Sequence, residues 1–401
     1  MAPLVLGLTR DPRFVVSVVV TGQHRVMLDQ VHEVFGIRPD TDLGIHRPGQ
    51  TLTDITSATL AGVGAWLAAH RPDVVMVQGD TTSSFAAALA AFYARVPVVH
   101  AEAGLRTHDL DSPYPEEGNR QLTGRLAALH LAATPGNREN LLAEGVPGHR
   151  IVVTGNSVID ALHEALGRDR PWRDGRLATR LAVGRPVVLV TAHRRESWGE
   201  PLRAVGRAVG RLARRHPDHD FVLPVHANPD VRAALEPPLA GLDNVVLTEP
   251  AAYGDFCRLL RRARIVLSDS GGVQEEAPSL GTPVLVLREV TERPEAVAAG
   301  TVRIVGTDED RIVREASRLL LDPAAREAMA RSVNPYGDGR ATERTVAAIA
   351  QFTGVGERLP DFTPAPHPTP HPPTERLVAT PRPPTERLVP TPTGPSGDPV
   401  G

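Results

Sequence analysis

Short, continuous runs of apolar residues alternate with longer helical patterns along most of this 401-residue chain. The runs are rich in β-branched residues and do not alternate with polar ones. They occupy residues 14–20, 74–77, 96–99, 151–153, 186–190, 221–224, 245–247, 265–267 and 283–286. Such runs are typical of parallel strands buried on both faces, with the intervening helices as covers. The pattern therefore predicts an α/β fold with doubly wound sheets.

The repeated strand–helix unit is too long for one sheet, which indicates two Rossmann-like domains joined at the polar stretch 167–185. We expect residues 1–165 to form the first domain, completed by a helix at about 338–354, and residues 166–337 to form the second. Residues 355–401 are rich in Pro and Thr and contain Pro-Pro-Thr-Glu-Arg-Leu-Val twice. That composition predicts a disordered tail, which could be a spacer or a docking peptide.

Composition excludes several classes of protein. A formal charge of −3 argues against a general binder of nucleic acid or of anionic membranes. The single cysteine, Cys257, excludes a disulfide framework and any multi-cysteine metal site. No run approaches the roughly eighteen apolar residues that a membrane span needs. The expectation is a cytoplasmic protein with no membrane association, no metal and no cofactor.

Acidic side chains follow successive strand ends in the first half of the chain. Asp80 follows the second apolar run, and Glu102 follows the third. Glu116 begins a new helix after two prolines, and Arg120 lies four residues later on the same face. A helix cap at Asp80 and an ordinary surface ion pair between Glu116 and Arg120 are the alternatives. We nevertheless expect the acids to converge, because parallel strands present their carboxyl ends at one edge of a sheet.

A histidine and two arginines follow the apolar run 186–190. His193, Arg194 and Arg195 form a plausible anion clamp, since imidazolium and guanidinium groups both bind phosphate. The alternative is a solvated helix start.

The strongest local signal is a Ser270-Gly271-Gly272 turn between the apolar run 265–267 and a helix. Backbone amides at such a turn can bind a diphosphate. Glu275 and Glu276 follow at a distance that suits ribose hydroxyls. The turn matches neither the P-loop nor the dinucleotide fingerprint, so ATP hydrolysis and NAD binding do not follow. A purely structural turn is the alternative.

Taken together, these segments resemble the bacterial non-hydrolysing UDP-N-acetylglucosamine 2-epimerase family over about residues 1–352. The motifs that carry the resemblance lie at residues 21–25, 79–82, 102–106, 115–120, 193–197, 269–279, 292–296 and 334–339.

The resemblance implies a GT-B-like fold, with the substrate in a cleft between two Rossmann-like domains. It implies reversible conversion of UDP-GlcNAc to UDP-ManNAc for cell-surface polysaccharide, without a metal or a nicotinamide. UDP would leave to give a bound 2-acetamidoglucal and then add back. A homodimer is also implied. The alternatives are a hydrolysing relative that releases ManNAc and UDP, a glycosyltransferase, and an inactive UDP-sugar-binding remnant.

The resemblance also implies roles for individual residues. Asp80, Glu102 and Glu116 match the acid and base positions of the family. Arg120 and His193 would supply the positive charge that the departing diphosphate needs. The implied UDP-binding residues are Ser270, Gly271, Gly272, Glu276 and Arg293. Gln23 and His24 match part of a second, regulatory UDP-GlcNAc site.

One departure from the family lies at the N-terminus. Family members have a buried strand and a Gly-Thr-Arg-Pro-Glu-Ala-Ile-Lys motif before the segment that here begins Met1-Ala2-Pro3. The resemblance therefore implies that the natural chain is longer and that the form starting at Met1 folds or turns over poorly.

Overall fold

The computed structural model describes residues 1–22, 33–168, 170–194 and 197–364. All of them belong to one compact unit. Helices and strands alternate along its first part, which contains α1 Ala2–Arg10, β1 Val19–Val20, β2 Thr41–Asp42, α2 Leu52–His70, β3 Val75–Gln78, α3 Thr82–Tyr93, β4 Val98–Ala103, α4 Glu116–Leu126, β5 Leu129–Ala132, α5 Pro135–Ala143 and β6 Ile151–Val153.

The same alternation continues to the end of the described chain. The remaining elements are α6 Ser157–Leu166, α7 Gly175–Ala182, β7 Val187–Thr191, α8 Glu200–Arg215, β8 Asp220–Pro224, α9 Pro229–Leu235, β9 Val245–Thr248, α10 Tyr253–Arg262, β10 Ala263–Ser268, α11 Val273–Ser279, β11 Val284–Val286, α12 Pro294–Ala299, β12 Val302–Ile304, α13 Glu309–Leu321, α14 Pro323–Ala330 and α15 Ala341–Phe352.

Two main parallel sheets organise these elements. The first has the strand order β3-β4-β5-β6, and the second has the order β12-β11-β10-β7-β8-β9. The small strands β1 and β2 form a separate parallel pair. Every neighbouring pair in both main sheets is parallel, and helices cover the sheets. The predicted α/β architecture with two doubly wound sheets is therefore confirmed.

Helix ends follow local sequence rules. Thr51 and Asp54 form a capping box at the start of α2, each side chain bonding the other's backbone amide. Thr81 caps α3, as its side chain accepts the amide of Ser84. The cap expected in the turn after the second apolar run is thus made by Thr81, which leaves the Asp80 side chain for other contacts.

The last helix returns to the first sheet. Ile349 of α15 joins a buried cluster with Val99 of β4, Leu131 of β5 and Leu4 of α1. Burial of these apolar side chains stabilises the pairing of the sheet with both ends of the described chain. The predicted domain boundaries at residues 165 and 337, and the strand expected before Met1, stay predictions.

The first apolar run was predicted wrongly for most of its length. Within residues 14–20 only Val19 and Val20 form a ladder, with Thr41 and Asp42. Phe14 and Val16 pack at the side of the first-sheet cluster, while Val15 is exposed. Alternate side chains of this segment pack on the core, whereas the continuous apolar run had suggested a strand buried on both faces.

Strand β5 was missed, although all four of its residues are buried. Leu129-His130-Leu131-Ala132 contains no β-branched residue, so its own propensity does not predict a strand. It lies between β4 and β6, where tertiary context supplies ladder partners on both sides. Burial lowers the pKa of His130 to about 4, which keeps this imidazole neutral inside the sheet.

The packed chain continues beyond residue 355, where the tail was expected to begin. Phe362 is buried, and its amide donates to the carbonyl of Val153 at 2.7 Å. Asp361 forms an ion pair with Arg138. The segment therefore covers the edge strand β6, a position where unpaired backbone groups need partners. The rest of the expected tail lies outside the described residues.

None of the helices in the described ranges is long and apolar enough to cross a membrane.

Gly104 and Gly145 both have positive φ but differ in the space around them. Gly104 has φ +87° and no room for a Cβ against the backbone of Asn137, whereas Gly145 has φ +82° and nothing within 4 Å. We expect Gly145→Ala to reduce the free energy of unfolding by about 1 kcal/mol through left-handed strain alone. Gly104→Ala should lose a further ~1–3 kcal/mol through overpacking. Urea unfolding of both variants measures the difference, and equal losses would contradict the close approach.

Candidate functional site

The acids predicted at the first sheet lie on neighbouring strand ends. Gln78 at the end of β3 is in register with Ala101 of β4, so Asp80 and Glu102 emerge from the same edge. A β-bulge between Ala101 and Ala103 separates Glu102 from the ladder with β5, and Glu102 has φ +63°. A bulge redirects a side chain, and left-handed backbone in a bulky residue is uncommon. Local structure therefore turns Glu102 toward the Asp80 turn.

Contacts around Glu102 support that direction. Its Oε2 accepts a hydrogen bond from the side-chain Nε2 of Gln78 at 3.4 Å. A Cβ at Gly79 would be 3.5 Å away from the same oxygen. Gly79 has φ +70°, which suits a residue without a side chain. The carboxylate of Glu102 thus lies over the turn that carries Asp80.

Arg120 binds Asp80 and Glu117 rather than Glu116. Its Nη2 donates to Asp80 Oδ2 at 2.6 Å, and its Nη1 donates to Glu117 Oε2 at 3.0 Å. Glu117 is fully buried, whereas Glu116 is only half-buried at the start of α4. The ion pair considered for Glu116 and Arg120 is therefore corrected: at a spacing of three residues, Glu117 takes that place.

The pKa of Glu117 reflects this enclosure. Burial by itself raises the pKa, but hydrogen bonds from Gln121 and Thr107 and the charge of Arg120 lower it below its ordinary value. Glu117 therefore stays ionised and holds the guanidinium of Arg120 in place. Glu117 was not predicted as a site residue because it lies one helix position after Glu116, the expected partner of Arg120.

At the second sheet, His193 is oriented by Asp269. Thr191 of β7 is in register with Ser268 of β10, so the residues that follow them are neighbours. Asp269 Oδ2 accepts the backbone amides of His193 and Arg194 at 2.6 and 2.7 Å, and its Oδ1 lies 3.1 Å from His193 Nδ1. The Asp269 side chain is completely buried, and that of His193 is 42% exposed.

Those contacts decide the charge of Asp269. Burial raises its pKa, but the neighbouring His193 and the two backbone amides lower it below its ordinary value. Asp269 is therefore ionised beside His193 Nδ1, and a proton on that nitrogen would leave Nε2 to meet a ligand. The sequence placed Asp269 in a motif but gave it no role.

The Ser-Gly-Gly turn lies directly after Asp269, as predicted. The amide of Ser270 binds the Ser268 hydroxyl, so only the amides from Gly271 onward can turn toward a ligand. A Cβ at Gly271 would meet the Arg293 guanidinium at 2.5 Å. Glycine here therefore permits the close approach of Arg293, and Gly272 is the N-cap residue of α11.

Glu276 and Glu275 have different surroundings. Glu276 Oε1 accepts the phenol of Tyr253 at 3.0 Å. Burial raises the pKa of Glu276 from 4.5 to about 7, partly opposed by that hydrogen bond. Both oxygens of Glu275, by contrast, are bonded: Oε1 to Arg293 Nε at 2.6 Å and Oε2 to Asn156 Nδ2 at 2.6 Å. The expected ribose contact thus rests on Glu276.

A polar chain links the two sheets. Asn156, in the turn after β6, also donates to Glu102 Oε1 at 3.2 Å. Glu102 of the first sheet and Glu275 of the second therefore share one amide group. Burial alone would lower the pKa of Arg293, but the carboxylate of Glu275 raises it above its ordinary value, so Arg293 stays charged. The Gly155-Asn156-Ser157 turn after an apolar run was the sequence signal for Asn156, and it was missed.

Other expectations lie elsewhere. Gln23 and His24 are outside the described residues. Among those that are described, one cluster has the composition of a metal site: His216, Asp218 and His219, with candidate ligand atoms within 4.8 Å of one another. It precedes β8 and so lies at the opposite edge of the sheet from His193. The expected absence of a metal from the site stays a prediction.

Two parallel sheets with polar strand-end turns linked across them define a GT-B-like α/β protein. Comparison with known proteins identifies the family. The sequence profile of the UDP-N-acetylglucosamine 2-epimerase family matches residues 7–350. The UDP-N-acetylglucosamine 2-epimerase of Escherichia coli K12 is 52% identical over 87% of this chain and 94% of its own.

Solved structures agree. A Listeria monocytogenes protein described as a putative UDP-N-acetylglucosamine 2-epimerase has a TM-score of 0.84 at 45% identity, over 90% of this chain and 95% of its own. The Neisseria meningitidis enzyme bound to UDP-GlcNAc has a TM-score of 0.80 at 45% identity, over 88% and 96%. The chain belongs to the UDP-N-acetylglucosamine 2-epimerase family and is an isomerase.

The raised pKa of Glu276 makes a prediction about stability. Folded Glu276 holds its proton more tightly than the unfolded chain does, so its contribution is complete below pH 4.5 and is lost as the pH rises through about 7. We expect the free energy of unfolding of wild type, relative to Glu276→Gln, to fall by on the order of 3 kcal/mol between pH 5 and pH 8.

Urea unfolding at several pH values measures this difference. Glu139→Gln, at an exposed acid on α5, is the control for the loss of a surface carboxyl group. A pH-independent difference between wild type and Glu276→Gln would contradict the raised pKa of Glu276.

Proposed function

We propose that this chain reversibly epimerises UDP-GlcNAc to UDP-ManNAc at carbon 2 of the sugar. UDP leaves to give 2-acetamidoglucal and then adds back after a proton has returned from the other face. One observation carries the proposal: Glu102, a strand-end acid of the first sheet, is joined through Asn156 to Glu275, which follows the Gly-Gly turn of the second. Family membership and the relative bound to UDP-GlcNAc support it.

The reaction needs proton carriers on both faces of the sugar. A weakly acidic C2–H must transfer its proton to a base, and an acid must supply a proton from the opposite side. Asp80 and Glu102, on adjacent strand ends, and Glu116, at the start of α4, are the proposed carriers. The ion pair with Arg120 keeps Asp80 within reach of the cleft in one orientation.

The departing UDP needs positive charge and hydrogen-bond donors. His193, oriented by Asp269, presents Nε2 to the leaving diphosphate, and its protonated form neutralises the developing charge. Arg120 adds charge on the side of the first sheet. Ser270, Gly271 and Gly272 hold phosphate oxygens, and Glu276 accepts ribose hydroxyls. Arg293, against Gly271, supports that turn.

A homodimer belongs to the same proposal. It rests on the family resemblance, and so does the regulatory nucleotide expected at Gln23 and His24.

Single substitutions test the proposed carriers. We expect Asp80→Asn, Glu102→Gln and His193→Ala each to lower kcat by about 10²–10⁴-fold, the contribution of a positioned proton carrier or charge. The assay incubates each variant with UDP-GlcNAc in heavy water, and then measures deuterium at C2 and the ratio of the two UDP-sugars. Glu139→Gln should match wild type.

The products separate the alternatives. Retention of UDP on both sugars supports the epimerase, whereas net release of free ManNAc and UDP indicates a hydrolysing relative. Transfer of the sugar to an acceptor would indicate a glycosyltransferase. Binding of UDP without deuterium exchange in wild type would indicate an inactive remnant. Full activity in all three variants would refute the assigned roles.

A further inference from the structure

Asn156 occupies a constrained position where the first sheet ends. Gly155 has φ +82°, which turns the chain sharply after β6. The backbone amide of Asn156 donates to the carbonyl of Tyr336 at 2.6 Å, and the residue is 5% exposed. Asn334 next to that carbonyl donates to the backbone oxygen of Glu275. The backbone of Asn156 is thus held against the segment 334–336, which in turn is bonded to α11 of the second sheet.

The orientation of its side-chain amide follows from the hydrogen bonds. Oδ1 of Asn156 accepts the backbone amide of Val158 at 3.2 Å and so caps α6. Only the oxygen of the Asn156 side chain can accept the Val158 N–H, so the oxygen must point toward α6 and Nδ2 must point away from it. There it meets two acceptors, Glu102 Oε1 at 3.2 Å and Glu275 Oε2 at 2.6 Å.

Two carboxylates that face one group would repel each other in the absence of donors. Each of the two Nδ2 protons can serve one carboxylate, so Asn156 compensates both at once. Glu275 is anchored by Arg293 on its other oxygen. Glu102 has its other oxygen directed at the Gly79 turn. Because Arg293 fixes Glu275, the Asn156 amide that bonds both carboxylates also fixes the position of Glu102.

We propose that Asn156 is a positioning residue that orients Glu102 for proton exchange at carbon 2 by tying it to the anchored Glu275. This inference rests on the proposed function. It assigns no chemistry to Asn156 itself, which neither gains nor loses a proton. Its amide sets which oxygen of Glu102 faces the substrate.

A purely structural role would be that of a helix cap, and one isosteric change separates the two roles. Asp caps helices as well as Asn does, and its charge suits a helix N-terminus. Asn156→Asp therefore keeps the cap but replaces both donors with a third carboxylate. If Asn156 only caps α6, this variant should keep activity within about threefold, because the cap is equivalent.

We expect Asn156→Asp to lower kcat for epimerisation and the rate of deuterium exchange at C2 by about 100-fold or more, as misplaced catalytic groups do. The dissociation constant for UDP, measured by calorimetry, should change little because Ser270 and His193 are unaffected. Asp322→Asn, which exchanges the same residue types at the exposed cap of α14, should match wild type.

Two further variants keep the test valid if the buried charge impairs folding. Asn156→Ser retains a capping oxygen without added charge, and it should also lose activity while its thermal midpoint stays near wild type. In the double variant Asn156→Asp/Glu275→Gln, the new amide can donate to the new carboxylate, but Glu102 still has no donor at position 156. This variant should therefore stay within about threefold of Asn156→Asp, and a return of kcat to the wild-type value would overturn the role of the contact with Glu102.

The outcomes distinguish this inference from the proposed function. If wild type fails to exchange deuterium or to form the second UDP-sugar, the proposed function fails. If wild type epimerises and both Asn156→Ser and Asn156→Asp remain within about threefold of it, only the positioning role is overturned. Equal losses of UDP affinity and of kcat would indicate a general structural defect and would also overturn it.

Discussion

The buried carboxylate of Glu275 is the constraint on which the rest of the site depends. Glu275 is 4% exposed. Burying an ionised group costs folding free energy unless the group is paired and hydrogen-bonded. Arg293 and Asn156 meet that requirement, each at 2.6 Å. The three residues come from α11, the segment before α12 and the turn after β6. Compensation of one charge therefore fixes three otherwise separate parts of the chain.

The parallel sheets explain why the proposed reacting groups can lie around that point. Parallel strands end at one edge, and short turns there are free of ladder bonds, so their side chains can converge on a cleft. Asp80 and Glu102 use the ends of β3 and β4, and His193 and Asp269 use those of β7 and β10. The bulge at Glu102 adds a change of direction that a regular strand could not provide.

Much of this arrangement was readable from the sequence because it depends on local rules. The continuous apolar runs identified most strands, and the strand-end turns placed Asp80, Glu102, His193 and the Ser270 turn at the sheet edges. These inferences needed only strand direction and turn chemistry. The resemblance to a family then supplied the reaction, which spacing alone could not.

What the sequence did not reveal depends on contacts between distant segments. Strand β5 lacks β-branched residues and is a strand because both neighbours pair with it. Glu117 differs from Glu116 only in the face of α4 that it occupies, which the start of the helix decides. The turn that contains Asn156 is visible in the sequence, but its contact with Glu275, more than a hundred residues further along the chain, is not. Phe362 is likewise buried by an edge strand far from it in sequence.

The burial of the site residues suggests a division of labour. The side chains of Asp80 and His193 are 27% and 42% exposed, so both can meet a substrate. Glu117 is buried and holds Arg120, the partner of Asp80, while the buried Asp269 lies against His193. The buried Glu275 contacts Asn156, which donates to Glu102. Under the proposed reaction, UDP departs and returns while the glucal stays bound, so the proton carriers must keep their positions through both steps. Buried partners satisfied by hydrogen bonds provide that rigidity, because any displacement would leave a charge uncompensated.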